Sequence, residues 1–269
     1  MIFKSIKNIP LILLFTLLCS QGHACHLTMQ AGPYLTPDFV REIFLDFITA
    51  VEKDTNCEID IRLSSTLEEY LKSILNRKWD IFIFGQHSLA AFSKRGFIPT
   101  LETKQILRSL VVVNPNRVAL NSHSKIYTSR VLAGKTIITP SQYSLTAMHF
   151  NQYIQDQDLM GKVTIKTSEN YTVNTLDFIK GDIDAFVVLN FVYKTLPDYV
   201  HHKFKVIAQS ELQSVVMYSH PNLKTHIIES MKKHSHIFPS GDWIVYKGFK
   251  ENIYSIKFEQ LLKKLEIEP

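Results

Sequence analysis

The chain has 269 residues, enough for one large domain or two of medium size. With 45% hydrophobic and 20% charged residues, it has the composition of a globular protein and not of a disordered one. The formal charge is +5 and the pI about 8.9, but no dense Lys/Arg block occurs, which argues against nucleic acid and suits a small anionic partner.

Lys4 and Lys7 precede an apolar run, Ile9 to Leu18, interrupted only by Pro10 and Thr16. Gly22-His23-Ala24 then places small residues where a signal peptidase would cut after Ala24. A cleaved secretory signal over residues 1–24 is therefore expected. The run is short for a bilayer span, so an uncleaved anchor ranks second. A lipid anchor ranks third, because neither Cys19 nor Cys25 follows a good small-residue lipobox. Once Cys19 leaves with the signal, Cys25 and Cys57 remain. In an oxidising compartment the expectation is one disulfide between them, with two free thiols as the alternative.

His26 to Ala31 reads as a first strand, and Gly32-Pro33-Tyr34 turns the chain. Thr36 caps a helix that has Pro37 in its first turn. Phe39, Val40, Ile43, Phe44, Phe47, Ile48 and Val51 recur at helical spacing and give it one apolar face. Glu58 to Leu63 alternates into a second strand, and Ser65 or Thr66 opens a helix with a capping-box arrangement. Asp80 to Phe84 is a short apolar strand that breaks at Gly85, followed by a helix from Ser88 to Arg95. A strand with almost no polar residue is expected in a parallel sheet covered on both faces. The order β-α-β-α-β predicts a doubly covered α/β unit.

Phe97 to Leu101 and Ser109 to Val113 read as further strands, and Asn114-Pro115-Asn116 ends the second. The pattern then restarts. Lys135 to Thr139, Lys162 to Lys166, Ile183 to Leu189 and Lys203 to Gln209 are strands. Helices run from Ser144 to about Gln155 and from Tyr171 to Lys180. Ser214 to Ser219 is a strand that can return to the first unit, and helices near 222–233 and 254–266 close the chain. The expected division is a first lobe over 25–113, a second over 114–213, and a return over 214–269. Two connections between two lobes make a hinged cleft; two units in series are the alternative.

In open α/β sheets, ligands sit beyond the carboxyl ends of the strands. That rule points to Gln86, His87 and Ser88 after one strand, and to the polar turn Ser141, Gln142, Tyr143 and Ser144 after another. Gly134-Lys135-Thr136 resembles the end of a P-loop, but a strand follows it instead of a helix. His234 and His236 lack a third metal ligand at a useful spacing. No metal, no cofactor and no enzymatic constellation is expected.

Lys78-Trp79-Asp80-Ile81 followed by Phe84-Gly85 resembles a strand of the type 2 periplasmic solute-binding proteins, in particular the phosphate/phosphite/phosphonate-binding proteins of ABC transporters. Leu132-Ala133-Gly134-Lys135 is similar to the start of their second lobe, and Ile179 to Ala185 to a later Gly-x-x-Asp-Ala segment. Order and spacing agree over most of residues 27–250. The resemblance implies a two-lobed α/β fold with a cleft that closes on a small anionic or polar solute and delivers it to a membrane permease. The other readings are a ligand-sensing input module for a sensor kinase or other receptor and, ranked below it, an enzyme on the same fold. The family's oxyanion turn matches Pro140 to Thr146, where Ser141, Ser144 and Thr146 keep hydroxyls, whereas Gln142 and Tyr143 depart from the pattern and Leu145 stands where glycine is usual. Tyr171 stands in place of the family's histidine, and Asn190 lies where an acidic residue would read a ligand amine. Tyr34 is expected to add an aromatic contact from the first lobe.

Overall fold

The computed structural model describes residues 25–33, 37–104, 107–120, 129–168, 171–212, 214–238, 243–248 and 253–267. The expected signal and Tyr34 lie outside these residues, and Tyr171 is described by its backbone alone.

β1 (Cys25–Ala31), β2 (Cys57–Leu63) and β3 (Ile81–Gly85) are joined by α1 (Pro37–Thr55) and α2 (Leu67–Leu75). Proline suits the first position of α1, where its fixed φ is helical and its missing N–H would have no partner. Val40, Phe44, Phe47, Ile48 and Val51 form the buried face of this helix. Thr66 caps α2, its hydroxyl accepting from the Glu69 amide at 3.1 Å. That helix buries Leu67, Tyr70, Leu71 and Ile74. β1 pairs in parallel with both β2 and β3. A disulfide joins Cys25 to Cys57, residues directly opposite in the β1–β2 register with Cα atoms 4.6 Å apart.

The short helix α3 (Leu89–Lys94) leads to β4 (Ile98–Thr103) and β5 (Arg108–Val113). β6 (Thr136–Thr139), α4 (Leu145–Asp156), β7 (Thr164–Thr167), α5 (Tyr171–Lys180) and β8 (Ala185–Leu189) repeat the first pattern. Helices α6 (Asn190–Lys194) and α7 (Asp198–Lys203) precede β9 (Lys205–Glu211). β10 (Val215–Ser219), α8 (Thr225–Lys233), β11 (Trp243–Val245) and α9 (Ile253–Ile267) finish the chain.

Two sheets result, ordered β11-β4-β10-β3-β1-β2 and β7-β6-β8-β5-β9. In each, three parallel strands are followed by an antiparallel strand, β10 or β5, that is separated from them in sequence. Both β8 and β3 are covered on two faces. Ala185 and Val187 join one hydrophobic cluster with α4, while Phe186 and Val188 join another with α5, α6 and α7.

Ser109 to Val113 was expected to end the first lobe. Instead β5 pairs with β8 and β9 at the heart of the second sheet. A strand buried on both faces carries no sign of which sheet it joins; pairing partners decide that. The chain therefore crosses between β4 and β5 and returns between β9 and β10. The Leu212 amide donates to the Leu107 carbonyl, which ties the two crossings together.

α9 lies against the first sheet through Phe258, Leu262 and Leu265. Arg95 fastens it by ion pairs to Glu259 and Glu266 at 3.2 and 2.8 Å. Its first turn reaches the second lobe, where Tyr254 stacks on His149 with ring centroids 3.9 Å apart. Lys257 donates to Gln152 on α4 at 3.1 Å. Among the described residues, no helix is long and apolar enough to cross a membrane.

Candidate functional site

The carboxyl end of β6 opens into Pro140-Ser141-Gln142-Tyr143-Ser144 and then into α4. Ser144 is the N-cap; its hydroxyl accepts from the Ala147 amide at 3.1 Å, so its role is committed to the helix. The Ser144 amide donates to the Ser141 carbonyl at 2.9 Å, closing the turn. Ser141 is only 2% exposed, and its Oγ has no hydrogen-bond partner. It sits at a helix N-terminus, where amide donors and the positive end of the dipole favour negative charge.

β7 lies beside β6 in parallel, so α5 begins at the same edge of the sheet as α4. Asn174, in the first turn of α5, is 3% exposed and its Oδ1 is also unpartnered. A buried polar atom without a partner carries a desolvation cost of roughly 1–3 kcal/mol. Of these two atoms, the Ser141 hydroxyl can donate to an anion, whereas the Asn174 Oδ1 can only accept from a donor.

The first lobe answers with the turn Gln86–Ser88 after β3. These three residues behave differently. The Gln86 side chain is part-exposed, and the Gln86 backbone N–H donates to the Ser214 carbonyl at 2.8 Å. Ser88 is fully buried, with its hydroxyl on the Gly85 carbonyl at 2.8 Å and the Tyr218 hydroxyl at 3.0 Å, so it is committed to the first lobe's core. His87 alone reaches across the lobes. Its Nε2 lies 3.4 Å from the Tyr143 carbonyl, while its Nδ1 has no partner. Burial, with a lesser contribution from His149 nearby, holds the His87 imidazole neutral, with its pKa pushed down to about 3. Gly85 is required by the same packing: a Cβ there would stand 2.6 Å from His87 Nδ1.

Tyr143 is 5% exposed and packs into the first lobe's cluster with Phe84, Phe92 and Phe258. Sequence reasoning missed Phe258 and His149, both central to this seam. The Phe258 ring lies edge-on to His87 at 4.8 Å. The helical spacing of Phe258, Leu262 and Leu265 marks a buried face on α9 but does not say that it spans two lobes. Gln142 is exposed and lines a groove of about 610 Å³ between α4 and α9, floored by Met148 and Leu261.

Asp184, at the edge of β8, is structural. Burial alone would raise its pKa, but the Thr136 amide at 2.8 Å and the Arg117 guanidinium at 2.7 Å outweigh that and hold it below the usual carboxylate range. Asn190 accepts from the Arg108 amide at 3.1 Å. Among the described residues, no group of His, Cys, Asp and Glu is placed to hold a metal ion.

Two α/β lobes joined by paired crossings, with helix starts meeting at a buried seam, define a two-lobed solute-binding protein. A family profile described as the periplasmic substrate-binding protein of phosphonate ABC transporters matches residues 30–233, and the chain belongs to that family. Among solved structures, it is similar to PhnD1 from Prochlorococcus marinus in complex with methylphosphonate, at 16% identity and a TM-score of 0.69, over 90% of this chain and 98% of that one. The binding-protein component of a Pseudomonas aeruginosa ABC phosphonate transporter matches at 12% identity and a TM-score of 0.67, over 90% and 88% of the two chains. A mutant of ArgBP from T. maritima matches at 15% identity and a TM-score of 0.54, over 90% and 96%. No curated protein matches. The family is one of extracytoplasmic substrate-binding proteins and not of enzymes, and its members work with an ABC transporter.

Proposed function

We propose that this protein captures a small tetrahedral oxyanion of the phosphonate, phosphite or phosphate class at the 140–144 turn and hands it to an ABC permease after export by a signal cleaved at Ala24. The observation that carries this reading is the Ser141 hydroxyl, buried and without a partner at the start of α4. Ser141 donates to the anion, and backbone donors of the α4 first turn supply the rest. His87 closes the site from the first-lobe side and Tyr143 from the turn itself. Tyr34 and Tyr171 complete it, from the loop after β1 and the start of α5. Ser144 acts through the helix cap.

The finer substrate class follows from charge. The position beyond β8 carries Asn190, engaged with the backbone of β5, in place of an acid. The first-lobe wall is aromatic and its histidine neutral. Among the described residues of these two walls, an ammonium group on the ligand would find no counter-charge, which favours methylphosphonate and inorganic oxyanions over aminoalkylphosphonates.

A thermal-shift panel on the chain lacking residues 1–24 tests this, with phosphate, phosphite, methylphosphonate, 2-aminoethylphosphonate, sulfate and amino acids. A true ligand stabilises the folded state by roughly 2.7 kcal/mol at a hundredfold excess over its dissociation constant. The shift is expected with a tail-less oxyanion and lost in Ser141→Ala. A shift with amino acids alone would overturn the reading.

A further inference from the structure

The groove between α4 and α9 has a composition that packing alone does not explain. Lys257, Lys263 and Lys264 line it, together with the side-chain amides of Gln142, Asn151 and Gln260. Among the described residues, none of the three lysines has an ion pair, and Lys257 is hydrogen-bonded only to the neutral Gln152. The carboxylates of the same helix are elsewhere: Glu259 and Glu266 both engage Arg95 on the first lobe. α9 is thus divided lengthwise, with its acids paired on one side and its lysines left facing the groove. Helix electrostatics account for Lys263 and Lys264 near the C-terminal end of α9, where cations are favourable, but not for Lys257 in its second turn.

The groove is also continuous with the seam. Gln142, which lines it, is the neighbour of Ser141 in the turn, and its two walls come from different lobes. A concave surface of one charge sign concentrates counter-ions and speeds their capture. Its volume of about 610 Å³ exceeds what one small oxyanion needs.

We propose that this groove is a second anion-binding site, which takes the phosphate or phosphonate dianion from solution at the mouth of the cleft before the ion reaches Ser141. The lysines supply charge and the three side-chain amides supply directional donors. Because one wall belongs to each lobe, an anion here also favours their apposition. The proposal rests on the reading of the 140–144 turn as the inner site, and the test separates the two.

Inorganic phosphate and methylphosphonate are titrated into the exported chain, its Ser141→Ala variant and a Lys257→Gln/Lys263→Gln/Lys264→Gln variant. Amide shifts of Asn151, Gln260 and Leu261 report the groove, and stopped-flow fluorescence reports capture. Lys263 and Lys264 are exposed, and the half-buried Lys257 has a single hydrogen bond, to Gln152, that a glutamine can also donate, so the triple variant is expected to fold. In Ser141→Ala, saturable groove shifts are expected to persist and to weaken at least tenfold between low and high salt, as screened surface charges do. In the triple variant the groove shifts vanish, inner-site dissociation is unchanged, and association slows about tenfold and loses its salt dependence. Absence of groove shifts in Ser141→Ala, or their survival in the triple variant, overturns the groove site and leaves the inner site standing. Groove shifts without any saturable change at Ser141 in the parent chain would keep the groove site and remove the proposed function.

Discussion

Two serines three positions apart in one turn have opposite relations to stability. Ser144 caps α4, and replacing an N-cap serine with alanine typically costs about 1 kcal/mol. Ser141 is buried with an unpartnered hydroxyl, which is itself a cost in the absence of a ligand. Urea denaturation of the unliganded protein is therefore expected to show Ser144→Ala destabilised by about 1 kcal/mol. Ser141→Ala is expected to be as stable as the parent or more so, yet unable to bind. Equal destabilisation by both would mean that Ser141 is a structural residue. Gly85 makes a similar point about His87. A Cβ at position 85 collides with the imidazole at 2.6 Å, so Gly85→Ala must swing the ring away from the Tyr143 carbonyl. The expected result is a lower melting temperature in a protein that keeps its secondary structure, which circular dichroism and calorimetry together would show.

At the scale of elements, the disulfide offers a direct test of the oxidised N-terminal strand. It joins residues 32 apart in sequence, and constraining a loop of that length in the unfolded chain is worth roughly 3–4 kcal/mol. A Cys25→Ala/Cys57→Ala variant is expected to lose about that much in chemical denaturation, and reductant is expected to do the same to the parent. No response to reductant would count against the bond. Most elements were legible because their signals are local. Thr66 with Glu69, Pro37 ahead of an apolar stripe, and the run Ile81–Phe84 each state their structure within a few residues. What escaped was short or defined by partners. α6 and α7 span five and six residues, too few for a helical period to show, and β11 has only three. β5 was visible as a strand, but its sheet is set by pairing to Val187 and Ala208, far away in sequence. The site divides in the same way. The turn 140–144 was found from topology and resemblance, whereas Phe258, His149 and the three groove lysines come from a helix more than 100 residues downstream of that turn or from the neutral face of α4, and only the docking of α9 gives them meaning.

The whole molecule is held shut by a seam with two histidines in it. His87, in the first lobe, contacts the Tyr143 carbonyl of the second, and His149, in the second, stacks on Tyr254 of α9. Burial pushes the pKa of His87 down to about 3 and that of His149 down to about 4, from an ordinary value of 6.5. Any open or unfolded form hydrates these rings and takes up protons first. The closed fold therefore has its full stability above pH 6.5 and loses it as the pH falls from 6.5 towards 4, the window in which the exposed form is protonated and the closed form is not. For a fully buried histidine such as His87, the slope approaches about 1.4 kcal/mol per pH unit. His149 is partly exposed, and solvent screening reduces its share. Denaturation midpoints measured between pH 7.5 and 4 are expected to fall steadily below 6.5, and His87→Phe is expected to flatten most of that slope while keeping the aromatic packing against Phe258. A slope unchanged in His87→Phe would place the acid sensitivity elsewhere. If the seam is what titrates, small-angle scattering at pH 5 should show lobes that separate before secondary structure is lost, because the interface contacts are fewer than those that hold either sheet together.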